Sequence, residues 1–225
     1  MGRSTQDLRQ PARRRVALLL AAALAGLGLI AAYAGSLARG DERAAHDEGP
    51  YRGSEPPGRI LLPAFDLPSY RGGRVSAGAL RGRVVLLTLL DSQCNDACPI
   101  LASVVARAVD RLTASERAQV RAVAVTGDPV EDTPASVRRF LAARRAEGRL
   151  DYLIGEVREL RPLWNALHVL PSLETGQDTL HSAPLRLYDR AGVWVATLHA
   201  GVDLTEENLL HDIRSALGAR GETSR

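Results

Sequence analysis

The apolar run RVVLLTLL at residues 83–90 limits the possible folds more strongly than any other part of the sequence. The run is nearly continuous and does not alternate with polar side chains, so it predicts a β-strand that is buried on both faces. A sheet that is buried on both faces needs helices packed on each side of it. The run therefore favours an α/β domain.

Further strands and helices alternate after this run. In order, they are a helix opened by Pro99, a strand at 120–125, a helix capped by Thr133 and Pro134, a helix over 156–168, a hairpin around the turn 189–192 and a final helix capped by Thr205. This order predicts an α/β, thioredoxin-like fold with a central mixed sheet flanked by helices.

A second apolar stretch, residues 16–38, contains no charged side chain. As a helix, its 23 residues would extend about 34 Å, enough to cross the hydrocarbon core of a bilayer. The arginines at 13–15 precede it and predict a cytoplasmic N-terminus. The following domain would then lie on the periplasmic or extracytoplasmic side of a single-pass protein of the inner or cell membrane. A cleaved secretory signal is the alternative, because Ala32-Tyr33-Ala34 resembles a small-residue cleavage site.

These features divide the chain into five segments. They are a basic cytoplasmic N-terminus (1–15), a transmembrane anchor (16–38), a flexible linker rich in Gly, Pro and charge (39–58), the thioredoxin-like domain (59–218) and a disordered tail (219–225).

The charge distribution gives no support to nucleic-acid binding. The sequence pI is about 9.2. Residues 1–38 contain five arginines and one acidic residue, a net charge of +4, and the whole chain carries +3. The remaining residues therefore carry −1 and provide no concentrated basic surface.

Cys94 and Cys98 are the only two cysteines of the chain. Cys94 falls in the loop that leaves the apolar strand, and Cys98 falls at the start of the next helix, where sites form in open α/β sheets. A helix N-terminus favours a thiolate, so both thiols are expected to have a lowered pKa and to be reachable. A purely structural disulfide here would close a very short loop and contribute only about 2 kcal/mol.

Redox exchange and metal binding remain as functions of this pair. Two thiolates are soft ligands that favour Cu(I) or Zn, and a third ligand must come from elsewhere in the chain. Met1 is the only methionine, which leaves the domain's histidines: His168, His181, His199 and His211. His181 differs from the others because it precedes the strand APLRLYD in a loop expected beside the cysteine loop. The residues alone leave both functions open.

Four stretches of the chain resemble the Sco/SenC/PrrC family, the membrane-anchored copper chaperones of cytochrome oxidase assembly. They are FDLPSYRGGRVSAGALRGR, GRVVLLTLLDSQCNDACP, GDPVEDTP and HSAPLRLYDRAG. The resemblance covers about residues 60–218. The sequence departs from the family's pattern at Asn95, where a proline is usual, and at Leu180, where an aspartate is common.

The resemblance implies that Cys94, Cys98 and His181 bind one copper ion, as Cu(I) or Cu(II). The copper is passed to the copper-accepting subunit of cytochrome c oxidase or to another exported cuproprotein. Asp128 is implied to shape the site from beside the ligands, and the alternative is that it is simply a turn residue after a strand.

Copper delivery is the leading functional hypothesis. The alternative is an exported, membrane-anchored thiol–disulfide oxidoreductase in which Cys94 and Cys98 are the redox pair and no histidine is needed. A metal-free interaction domain is a third hypothesis. A peroxidase is disfavoured because no threonine stands two or three residues before Cys94.

Overall fold

A mixed five-stranded sheet organises the residues that the computed structural model describes, 49–169 and 184–218. Its strands are β3 (Val84–Leu90), β4 (Val120–Thr126), β5 (Asp151–Leu153), β6 (Pro184–Tyr188) and β7 (Trp194–His199), and they are preceded by a hairpin of β1 (Asp66–Pro68) and β2 (Arg74–Ser76). The helices are α1 (Ala97–Asp110), α2 (Ala114–Ala118), α3 (Pro134–Ala143), α4 (Val157–Leu167) and α5 (Glu206–Gly218), with a 3-10 turn over Ala77–Leu80. The strand order is β5-β4-β3-β6-β7.

The apolar run forms β3, the central strand of the sheet. β3 is parallel to β4, which is parallel to β5, whereas β6 is antiparallel to both β3 and β7. All seven residues of β3 are buried. Leu86 and Leu90 pack into one hydrophobic core, and Leu87 and Leu89 pack into a second. The prediction of a strand covered on both faces is confirmed, and each such leucine contributes about 1.5–3 kcal/mol by its burial.

Local capping signals fix where two helices begin. The Thr133 hydroxyl accepts from the Ser136 N–H at 3.2 Å, and the Ser136 hydroxyl accepts from the Thr133 N–H at 2.9 Å, directly before α3. Pro134 is the first residue of that helix. Thr205 caps α5 by accepting from the Asn208 N–H at 3.1 Å. Both caps predicted from the sequence are confirmed.

The β1–β2 hairpin, α2 and β5 were not predicted. β5 has only three residues, which is too short for a periodic pattern to identify it. Its place is set by tertiary hydrogen bonds: the Tyr70 N–H donates to the Tyr152 carbonyl, and the Ile154 N–H donates to the Pro68 carbonyl, each at 2.9 Å. The hairpin and β5 therefore stabilise each other.

The packed part of the chain begins before residue 59, where the sequence analysis places the domain boundary. Asp212 of α5 is fully buried, and its carboxylate accepts from the Arg52 N–H at 2.7 Å and the Gly53 N–H at 2.9 Å. Part of segment 39–58, predicted to be a flexible linker, is thus held against the domain.

No helix within the described residues is long and apolar enough to cross a bilayer. The predicted anchor at 16–38 and the predicted tail at 219–225 both lie outside those residues. The anchor and the orientation that it implies therefore stay predictions.

Candidate functional site

Cys94 and Cys98 lie together at the carboxyl end of β3, as predicted. Cys94 belongs to the loop that follows β3, and Cys98 is the second residue of α1. Both are free thiols. Their side chains are hydrogen-bonded to each other. The fold therefore brings the two thiols close enough for each to alter the pKa of the other.

The two thiols differ in exposure and in ionisation. Cys94 is 9% exposed and Cys98 is 0% exposed. The hydrogen bond from Cys98 lowers the pKa of Cys94 from 9.0 to about 6, with help from the N–H groups of Asp96 and Cys98 and against the effect of burial. The same hydrogen bond, together with burial, raises the pKa of Cys98.

The prediction that both thiols are reachable and have a lowered pKa is therefore wrong for Cys98. A helix N-terminus favours a thiolate, but two adjacent thiolates repel each other and the buried one is poorly solvated. The pair therefore carries one proton at neutral pH, and this proton is on Cys98. Cys94 is the thiolate at neutral pH, and its sulfur is the more exposed of the two to a partner or a metal ion.

Asp91 shapes the turn that carries Cys94. Its carboxylate accepts from the Gln93 N–H at 2.7 Å, and its carbonyl accepts from the Cys94 N–H at 3.3 Å. An aspartate that binds the backbone two residues further on commonly starts a turn. Burial raises the pKa of Asp91, while the bond from Gln93 opposes that change.

A buried carboxylate that the sequence pattern does not identify lies behind this turn. Asp132 is 4% exposed, and one of its oxygens accepts from the hydroxyls of Thr126 and Tyr152, each at 2.6 Å. Its other oxygen accepts from the Ser92 N–H at 2.9 Å. Three donors offset the cost of burying this carboxylate. Asp132 thus ties β4 and β5 to the backbone two residues before Cys94.

The sequence signal for Asp132 is its position directly before the cap formed by Thr133 and Pro134. It also belongs to GDPVEDTP, one of the stretches that carry the resemblance. That stretch contains three acidic residues, and only the tertiary structure shows which one is buried.

Asp128, which the resemblance implies beside the ligands, lies in the loop after β4 and is half-buried. Its carboxylate accepts from the N–H groups of Val130 at 3.0 Å and Glu131 at 3.3 Å. Its own N–H donates to the Thr126 hydroxyl at 3.1 Å. These are the contacts of a turn residue, and an influence on a bound metal stays a prediction.

Three of the domain's four histidines belong to the described residues. His168 ends α4 in the left-handed conformation, His199 ends β7, and the His211 Nδ1 lies 3.0 Å from an Asp212 oxygen. Within 49–169 and 184–218, no three Cys, His, Asp or Glu side chains are grouped as metal ligands. His181, the predicted third ligand, lies outside those ranges.

A family comparison covers this whole site. The SCO1/SenC family model matches residues 54–218. The chain belongs to the SCO1/SenC family. The matched range contains both cysteines, Asp132 and the β6–β7 hairpin, and it begins close to the first residues held against the domain. The family predicted from the sequence is confirmed.

One curated relative is a protein of Stutzerimonas stutzeri named "Putative copper-binding protein". The chain is 32% identical to it over 135 residues, which is 58% of this chain and 65% of the relative. The match therefore spans slightly less than two thirds of the relative's length.

Three solved structures share the fold. BsSco, described as a Sco-family cytochrome c oxidase assembly protein with a disulfide switch, superposes with a TM-score of 0.61 at 19% identity over 74% of this chain and 99% of its own. Copper-bound yeast Sco1 gives 0.59 at 19% identity, with coverages of 75% and 100%. The thioredoxin domain of a Bacteroides vulgatus thiol–disulfide oxidoreductase gives 0.50 at 14% identity, with coverages of 66% and 92%. The thioredoxin-like fold of the SCO1/SenC chain is thereby confirmed.

Proposed function

We propose that this protein is a copper metallochaperone that carries one copper ion on Cys94, Cys98 and His181. The observation that carries this proposal is the pair of adjacent free thiols at the end of β3, in a chain of the SCO1/SenC family. The copper-bound yeast Sco1 structure and the name of the Stutzerimonas relative support copper as the cargo.

The two thiols suit copper chemically. Thiolates are soft ligands, and two thiolates with one imidazole form a three-coordinate site suited to copper. Cys94 is ionised at neutral pH because its pKa is about 6, so it can bind the ion without first losing a proton. Cys98, whose pKa is raised, releases its proton when the metal binds. The imidazole of His181 would complete the site.

Delivery of the ion is the second part of the proposal. The recipient is the copper-accepting subunit of cytochrome c oxidase or another exported cuproprotein, and the description of BsSco as an oxidase assembly protein supports this choice. Residues 16–38 anchor the protein in the membrane, with the domain on the extracytoplasmic side. Extraction of membranes at alkaline pH tests the anchor: an anchored chain stays in the membrane, whereas a chain cleaved after residue 34 is released.

Copper retention by the reduced, full-length protein tests the ligand set. We expect one copper per chain after gel filtration, and we expect His181→Ala to lose Cu(II). His168→Asn is the matched control, because His168 is exposed and asparagine tolerates its left-handed backbone. Retention of Cu(II) by His181→Ala at the wild-type level would remove His181 from the ligand set. Failure of the wild-type chain to retain copper would overturn the chaperone function.

An effect of the Asp128 charge on copper binding can be separated from the hydrogen bonds that Asp128 makes in its turn. Asp128→Asn keeps a side-chain oxygen for the N–H groups of Val130 and Glu131 but removes the negative charge. If Asp128 acts on the metal through its charge, this variant retains copper less well than the wild type. Unchanged retention would leave Asp128 as a turn residue only.

Thiol–disulfide exchange is the second candidate function. The observation that favours it is the unequal ionisation of the thiols, since a thiolate that keeps a small exposed area beside a fully buried thiol suits attack followed by resolution. A redox titration in glutathione buffers tests it. A reversible Cys94–Cys98 disulfide whose potential is unchanged in His181→Ala, together with no copper retention, would favour this function over copper delivery.

A further inference from the structure

The two ends of the central sheet carry opposite charge. The thiol end comprises the segments that follow β3, β4, β5 and β7, which are 91–96, 127–133, 154–156 and 200–205. The opposite end comprises the segments at the other ends of the same strands, which are 81–83, 111–119, 144–150 and 189–193. The thiol end contains seven acidic residues and no arginine, whereas the opposite end contains eight arginines and three acidic residues.

Several acidic groups of the thiol end face solvent. Asp96 and Glu131 are exposed, and Asp128 is half-buried. The Glu131 carboxylate forms no ion pair with the described residues, whereas Glu156 binds Arg158 of α4 at 3.0 Å and is largely neutralised by it. The surface around Cys94 therefore carries a negative field at neutral pH.

Exposed apolar side chains accompany this negative charge. Five large apolar side chains are exposed in the described part of the chain, and three of them lie at or beside the thiol end. They are Ile100 in the first turn of α1 at 47%, Val130 at 64% and Val202 at 82%. Exposed apolar groups beside a reactive residue are typical of a surface that a protein partner covers.

We propose that the thiol end is the docking surface for a protein segment that is basic and apolar around its own cysteine. The inference rests on the proposed function, because it describes the partner that receives copper or electrons at Cys94. The Cys94 side chain is 9% exposed, so a partner sulfur that reaches it must also cover the residues around it. A basic segment complements the acidic groups, and an acidic segment is repelled.

Thiol–disulfide exchange with two matched peptides tests this surface. The peptides are Arg-Leu-Cys-Leu-Arg and Glu-Leu-Cys-Leu-Glu, each with its cysteine joined to 2-thiopyridine in a mixed disulfide. The Cys94 thiolate attacks the peptide sulfur, a Cys94–peptide disulfide forms, and the bond to thiopyridine breaks. Cys94 is oxidised, the mixed disulfide is reduced by the same two electrons, and the released 2-thiopyridone is measured by its absorbance.

The experiment uses the reduced, metal-free, full-length chain in a non-ionic detergent. We expect the basic peptide to react several-fold faster at low ionic strength and this advantage to shrink as salt is added. Glu131→Gln should slow the basic peptide about twofold and speed the acidic one by a similar factor. Glu147→Gln, which removes an exposed charge at the opposite end, is the matched control and should change neither rate.

A second pair of variants tests the contribution of the exposed apolar side chains to docking. Val202→Ser should slow both peptides about twofold, because each peptide carries the same two leucines. Leu61→Ser removes another exposed apolar side chain, 52% exposed and paired with Val193 at the opposite end, and should leave both rates unchanged.

Equal rates for the two peptides, or a preference that salt does not weaken, would overturn the docking surface. That result is independent of copper retention, which tests the proposed function. If the chain retains copper but shows no charge preference between the peptides, only the docking surface is excluded. If the chain prefers the basic peptide in a salt-sensitive way but retains no copper, the docking surface is supported and the chaperone function is excluded.

Discussion

Two buried carboxylates hold remote parts of this chain together, and they do so in different regions. Asp132 binds two hydroxyls from the sheet and the N–H of Ser92 in the loop of Cys94. Asp212 binds the backbone where the chain enters the domain, at Arg52 and Gly53. Each carboxylate accepts from at least one backbone N–H that is distant in sequence. Only Asp132 is connected to the thiols, so both carboxylates should contribute to stability, whereas only Asp132 should affect the reactivity of Cys94.

The largest effect is expected for Asp132→Ala. The change leaves Thr126, Tyr152 and Ser92 without their buried acceptor, and it should lower the free energy of unfolding by about 2–4 kcal/mol. Because the loop before Cys94 loses its support, alkylation of Cys94 at pH 7 should also slow. Urea unfolding followed by tryptophan fluorescence and iodoacetamide kinetics measure the two quantities. Wild-type alkylation in this variant would contradict the link to the thiols.

Asp212→Ala should have a smaller effect on stability and none on chemistry. Two N–H groups lose their acceptor, but Arg52 is exposed and water can replace part of the lost binding. We expect a loss of about 1–3 kcal/mol in the same urea experiment. Cys94 should be alkylated at the wild-type rate, and a slower rate would show that the two regions are coupled.

The pH dependence of Cys94 alkylation should also distinguish Asp132 from Asp212. In the metal-free protein, alkylation by neutral iodoacetamide should fall as the pH drops through about 6, because protonation removes the thiolate. Cys98→Ala removes the hydrogen bond that lowers this pKa, so its midpoint should move towards 9.0. Asp132→Asn should shift the midpoint in the same direction by loosening the loop, whereas Asp212→Asn should not. An unshifted midpoint in Cys98→Ala would contradict the hydrogen-bonded pair.

The smallest effect is expected for His211→Gln. His211 lies 3.0 Å from an Asp212 oxygen, but its side chain is 40% exposed and water can replace it. We expect a loss of at most about 0.5 kcal/mol in urea unfolding and no change at Cys94. A loss as large as that of Asp212→Ala would make the imidazole, rather than the backbone N–H groups, the main partner of Asp212.

Features that depend on neighbouring residues could be predicted from the sequence. The apolar run identified β3, Thr133 with Pro134 and Thr205 identified two helix starts, and the turn at 189–192 identified the β6–β7 hairpin. The apolar run before Cys94 and Pro99 after Cys98 placed Cys94 in the loop after β3 and Cys98 at the start of the next helix. These signals act within a few residues, so the local sequence pattern is enough to identify them.

Features that depend on remote residues could not be predicted from the sequence and became evident in the folded chain. The hydrogen bond between Asp132 and Ser92 joins residues 40 positions apart, and that between Asp212 and Arg52 joins residues 160 positions apart. No local sequence pattern therefore reveals either bond. The unequal thiols follow the same rule. The nearby helix N-terminus predicts a lowered pKa for both cysteines. The packing around α1 buries Cys98 completely, however, and this burial together with the hydrogen bond between the thiols leaves Cys94 as the ionised one.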